Sequence, residues 1–110
     1  MNDLTSKTCG ACEGVGVPLT QSEIDALTEQ LSPEWSIDAE AQSLTRKFTF
    51  KAFAKAVYTA NLVAYVCNKE GHHADVAFGW GYCHVTFTSH ELGRLSENDF
   101  ICAAKVDAAV

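Results

Sequence analysis

Four histidines, His72, His73, His84 and His90, fall within nineteen residues of a 110-residue chain. Imidazole is the side chain that ordinarily titrates nearest neutrality, so such a cluster is what proton transfer at pH 7 would use. Three readings of it stand on the residues alone. The histidines are plain occupants of a loop and a half-exposed strand, or they hold a metal, or they form a metal-free acid/base site. The metal reading is the weakest, because the spacing matches neither H-E-x-x-H nor a two-His-one-carboxylate pattern, and adjacent histidines rarely share one ion. His72 and His73 cannot point the same way unless their loop bends. They are therefore read as doing different jobs, one facing a pocket and the other positioning it or contacting the ligand. Nucleophilic catalysis has little support: there is no G-x-S-x-G, and no cysteine has a recognisable activating context.

Cysteine is the other residue type with chemistry to offer. Cys9, Cys12, Cys67, Cys83 and Cys102 are odd in number, which speaks against a secreted disulfide framework. Cys9-Gly10-Ala11-Cys12 has a redox or zinc spacing. No second C-x-x-C or histidine pair follows at ribbon spacing, and the motif lies in a Gly-rich N-terminal stretch rather than between a strand and a helix. Cys67, Cys83 and Cys102 occupy apolar positions and read as buried thiols.

Composition narrows the classes further. The chain is 47% hydrophobic and 20% charged with a net charge of −6, the balance of one globular domain. The acidic balance argues against a nucleic-acid binder that works by neutralising phosphates. No apolar run approaches the ~20 residues of a membrane span, and the first residues carry no basic-then-apolar signal, so a cytoplasmic protein is expected. Charge is unevenly placed: residues 1–40 carry net −7, 41–69 carry +5 from Arg46, Lys47, Lys51, Lys55 and Lys69, and 70–110 carry −4. The basic middle reads as a solvated face, with attraction of an anionic ligand or a neighbouring subunit as the alternative.

The elements that must position these residues follow from periodicity. Residues 1–18 read as a flexible arm and 19–110 as the domain. Thr20 with Glu23 is a capping-box signature, and Ile24, Leu27 and Leu31 place a helix over about 21–31, stopped by Pro33. Trp35, Ile37 and Ala39, then Leu44, Arg46, Phe48 and Phe50, alternate about a polar turn at 40–43, as in a β-hairpin. Phe53, Val57, Ala60, Ala64 and Cys67 give a second helix over about 51–68, with Lys51 and Lys55 on its other face. A second hairpin joins Val76 and Phe78 to an alternating run at 82–89, with Gly79-Trp80-Gly81 breaking or bulging it. Ser96 with Asp99 then opens a third helix. The order α-β-β-α-β-β-α predicts a single α+β domain, a four-stranded antiparallel sheet with three helices packed on one face. Its free edges offer a route to a homo-oligomer.

The residues Glu70-Gly71-His72-His73-Ala74, Trp80, Thr86-Phe87-Thr88-Ser89-His90 and Gly93-Arg94-Leu95-Ser96-Glu97-Asn98-Asp99-Phe100, at ungapped spacing, resemble the pterin-4a-carbinolamine dehydratases. The likeness runs over most of the chain from about residue 20. It implies the same α+β fold in dimers or tetramers, and dehydration of 4a-hydroxytetrahydrobiopterin to quinonoid dihydropterin. That reaction recycles the cofactor of aromatic amino-acid hydroxylases, phenylalanine hydroxylase above all, and uses no metal or organic cofactor. Carried over by position, His72, His73 and His90 are the catalytic trio. His72 and His90 are assigned to the proton transfers and His73 to orienting the pterin. Asp99 and Glu70 are expected to contact the substrate, Asp99 alternatively orienting a histidine. Trp80 takes a structural aromatic position, and His84 has no catalytic counterpart. Ala74 stands where the family usually has proline, and Asn68 where it usually has an acid. The competing reading on the same fold is a non-catalytic protein-binding, assembly or coactivator module, some relatives being transcription partners.

Overall fold

A computed structural model describes residues 4–7, 19–89 and 92–110 of the chain. Helix α1 (Gln21–Thr28) leads into strands β1 (Trp35–Ile37) and β2 (Leu44–Thr49). Helix α2 (Phe53–Glu70), strands β3 (Asp75–Gly79) and β4 (Tyr82–Phe87) and helix α3 (Glu97–Ala109) complete the chain. The strands pair antiparallel throughout, in the order β1-β2-β4-β3. This is the α+β arrangement expected from the periodicity.

Local chemistry accounts for the boundaries. Thr20 accepts from the Glu23 backbone while the Glu23 carboxylate takes the Thr20 N–H at 2.8 Å, so the first helix opens on the capping box visible in the sequence. It ends three residues earlier than the expected 31, because Gln30 and Leu31 bond back to Leu27 and Thr28 and tighten the last turn. Helix α2 closes at Gly71, whose φ of +70° is the left-handed cap that glycine adopts at little cost. In the second hairpin Trp80-Gly81 is a two-residue turn rather than a bulge, with only Gly81 at positive φ.

The sheet has one dry face and one wet one. Leu44 and Phe48 of β2 lie opposite Phe87 and Cys83 of β4, all buried, whereas Lys47, Thr49 and Tyr82 point to the exposed side. Helix α3 closes the dry face. It is buried almost all round, from Asp99 through Ala104 and again at Val106, so it is the centre of the core and not a surface helix. Helix α2 packs on α3, β3 and β4.

Three expectations need correction. The buried stripe of α2 is Ala56, Thr59, Ala60, Val63, Val66 and Cys67, leaving Phe53 and Ala64 exposed. The helix is apolar on two faces, and packing against α3 selects one. Residues 4–6, read as part of an arm, form a 3-10 turn against α3 that buries Leu4. Lys7 then pairs with Glu97. The turn before β2 is not wholly polar, because Ala41 is buried at φ +56° while Asp38 accepts from the Gln42 and Ser43 N–H groups beneath it. The three described thiols, Cys67, Cys83 and Cys102, are buried as expected.

The first hairpin is tied to α3 through Asp107. Its Oδ1 accepts from Trp35 Nε1 at 2.8 Å and from the Arg46 guanidinium at 2.6 Å, and its Oδ2 accepts from the Ser32 N–H at 2.9 Å. The Arg46 guanidinium also lies 4.2 Å over the Phe48 ring. Asp107→Ala strips three donors at once and is expected to lower the unfolding free energy by about 3 kcal/mol. Urea denaturation would show it as a fall in midpoint at unchanged slope, and a loss below about 1 kcal/mol would show that the hairpin is held by packing alone. Burial pushes the Cys83 thiol above its ordinary range, so Cys83 should react with a thiol reagent only as the chain unfolds.

Candidate functional site

Helix α2 ends, the chain turns at Gly71, and His72 is delivered against the start of α3. There its Nε2 lies 2.7 Å from Asp99 Oδ1. Asp99 is 0% exposed, and a carboxylate taken out of water must have its charge met by donors. It meets them on both oxygens. Oδ2 accepts from the Ser96 N–H at 2.9 Å and from Ser89 Oγ at 2.8 Å.

The directions of these bonds can be derived. An ionised carboxylate only accepts, so Ser89 must give it the hydroxyl proton. Ser89 Oγ then receives from Ser96 Oγ, 2.8 Å away at the N-cap of α3. The result is a run of hydrogen bonds ending on the Asp99 carboxylate, each polarised by the next. The same argument places the proton of a neutral His72 on Nε2, facing Asp99, which makes Nδ1 the acceptor atom of the ring. The imidazole lies nearly parallel to the Phe87 ring at 6.1 Å. Its side chain is 12% exposed, so solvent reaches the ring while its carboxylate anchor stays dry.

The other site candidates fall in different places. His73 is exposed beside His72. His90, Cys9 and Cys12 lie outside the described residues. His84 stands on the wet face of the sheet, its ring 5.0 Å from that of Tyr82, and so is separated from His72 by the sheet. Histidines close in sequence are thus not all together in space. Glu70 does not face outward: its side chain is 5% exposed and its Oε2 receives Lys105 Nζ of α3 at 2.8 Å. Trp80 is 68% exposed at the hairpin tip. Asn68 is exposed, and Ala74 packs partly against the core.

The sequence reading missed Ser89 and Ser96 as partners of Asp99, and missed Lys105 altogether. Ser96 carried a signal as an N-cap; Lys105 carried none, being 35 residues from Glu70. Among the described residues no three His, Cys, Asp or Glu side chains converge as metal ligands. No helix among them is long and apolar enough to cross a membrane. The basic middle divides: Arg46 is held by Asp107, whereas Lys47, Lys51, Lys55 and Lys69 are exposed. Lys55 and Tyr58 border an open cleft of about 600 Å³ that Arg46, Phe48 and Phe50 floor and that does not include His72.

The His72–Asp99 pair is a histidine with its tautomer fixed by a buried acid, equipped to pass a proton at Nδ1 and not to carry a nucleophile. Known proteins share both the sequence and the fold around it. A protein of Legionella pneumophila strain Lens, provisionally named pterin-4-alpha-carbinolamine dehydratase, is 42% identical over 106 residues, 96% of this chain and 94% of its own. One from Methylococcus capsulatus with the same provisional name is 45% identical over 104 residues, 94% of this chain and 90% of its own. Among solved structures, a transcriptional coactivator/pterin dehydratase from Brucella melitensis superposes with a TM-score of 0.75 at 27% identity, over 84% of this chain and 97% of that one. A pterin dehydratase-like protein described as a RuBisCO assembly factor in the alpha-carboxysome gives 0.57 at 26% identity, over 69% and 88%. The family model for pterin 4 alpha carbinolamine dehydratase matches residues 17–109, from just before α1 to the last residue of α3, and the chain belongs to that family.

Proposed function

We propose that this chain is a hydro-lyase that dehydrates 4a-hydroxytetrahydrobiopterin to quinonoid dihydropterin, with histidines as the acid and base. The observation that carries the reading is the 2.7 Å contact between His72 and the fully buried Asp99. The reaction breaks the C4a–O bond, protonates the departing hydroxyl to water, and removes the N5 proton as the C4a=N5 bond forms. It needs one donor and one acceptor near neutral pH and no electron transfer, so histidines suffice without metal or organic cofactor. His72 supplies one transfer through Nδ1 and His90 the other, while the exposed His73 orients the pterin. Asp99 and Glu70, both turned inward, act on the histidine loop and not on the pterin itself.

In a cell this activity would serve the aromatic amino-acid hydroxylases, phenylalanine hydroxylase foremost, in the cytoplasm. A homo-oligomer, dimer or tetramer, is part of the reading. Edge strand β3 is exposed along its length, with Val76 and Phe78 uncovered, and an unpaired edge of this kind takes another strand readily. The second reading is an assembly or coactivator module without catalysis. The likeness to a RuBisCO assembly factor favours it, and the activity assay separates the two.

Stopped-flow absorbance on freshly generated 4a-hydroxytetrahydrobiopterin is the test. Wild-type protein should accelerate the step above its spontaneous rate, and His72→Ala and His90→Ala should each lower kcat by about two orders of magnitude. A folded wild type that leaves the spontaneous rate unchanged would leave the binding-module reading in place. Asp99→Asn keeps the shape of the anchor but can offer its amide N–H to Nε2 and so impose the other tautomer. It should cost about 10²-fold in kcat with little change in KM, and equal rates for Asn and Asp would mean that the tautomer is not set here.

A further inference from the structure

We infer that Lys105 is a positioning residue for the histidine loop, acting through Glu70; its effect on turnover rests on the dehydratase reading, whereas its effect on the His72 ring does not. Helix α3 meets the α2–β3 turn at three successive positions. Asp99 takes the His72 ring at 2.7 Å, the Cys102 thiol faces the His72 carbonyl oxygen at 3.9 Å, and Lys105 takes the Glu70 carboxylate at 2.8 Å. Residues spaced by three stay on one side of a helix as a slowly turning stripe, so one face of α3 reads the turn from His72 back to Glu70.

Gly71, between Glu70 and His72, has positive φ, and the Gly71 and His72 N–H groups both bond to the Cys67 carbonyl, which ties the turn to the end of α2. Its placement against α3 rests on side-chain contacts, of which the hydrogen bond at Nε2 holds one edge of the His72 ring. The Glu70–Lys105 pair anchors the chain two residues upstream, and with the glutamate 5% exposed it is far less screened by water and salt than a surface pair. Fixing both ends sets where His72 Nδ1 points and where the neighbouring His73 projects. A displacement of about 1 Å at such a site is enough to lower turnover sharply.

The test uses the full chain with ¹⁵N-labelled histidine, reading the His72 ring signals (assigned with His72→Gln), the melting temperature, and kcat and KM. Lys105→Met should move the His72 ring signals and lower kcat about tenfold, with KM within about twofold. Lys105→Arg, which keeps the cation, should keep both near wild type. Should the Met variant fail to fold, Lys105→Gln removes the charge with less change of polarity and is held to the same outcomes. A variant that melts earlier while its His72 signals and kcat stay at wild-type values overturns the proposal, since the pair would then be a structural tie only. Arg behaving like Met overturns it too. If wild type itself shows no dehydration, the dehydratase reading fails, yet the ring signals still decide whether Lys105 positions His72.

Discussion

The structure turns on one buried charge. Asp99 sits inside the first turn of the helix that forms the middle of the core, and it has no solvent exposure. An ionised group there is tolerated only because every direction around it supplies a donor, and those donors come from different parts of the chain. Ser96 belongs to the helix start, Ser89 to the segment after β4, and His72 to the turn after α2. Satisfying Asp99 therefore joins three segments of the chain, beside the packing of α2 on α3 and the Glu70–Lys105 pair. The positive end of the α3 dipole adds to the same effect. Fold and candidate site share this point, so the His72 ring is held by a requirement of the core.

Helix α3 repeats the device farther along. Asp107, about two turns later, gathers Trp35, Ser32 and Arg46 and so fixes the first hairpin, as Asp99 fixes the turn after α2. Between them lies an almost wholly apolar run, Phe100 to Ala104, that fills the core beneath the sheet. A helix with a carboxylate anchor near each end and hydrocarbon between has little freedom to slide or rotate. That rigidity is what a proton-transfer site asks of its scaffold, because small displacements at hydrogen-bond range cost large factors in rate.

Much of this was legible in the residues. Thr20–Glu23 and Ser96–Asp99 announced two helix starts, and the period-two runs announced both hairpins. Local signals were read well because their causes are local. What failed to show had non-local causes. The face of α2 that is buried could not be chosen among its many Ala, Val and Tyr positions without the surface it packs on. Ala41 occupies a positive-φ position that no composition rule assigns to alanine, and the neighbouring Asp38 carboxylate shapes the loop around it.

The inward-facing acids bear on how such a site divides its labour. A carboxylate placed to touch a pterin directly would need an open face, whereas Asp99 and Glu70 are both turned to α3. Both acids are engaged in contacts that tie the turn after α2 to α3, and His73 beside them is exposed. Asn68 is exposed, whereas the Glu70 carboxylate two residues on is engaged with Lys105. In the proposed dehydratase reaction, positioning and proton transfer fall to different residues, and the loop between α2 and β3 is where the two meet.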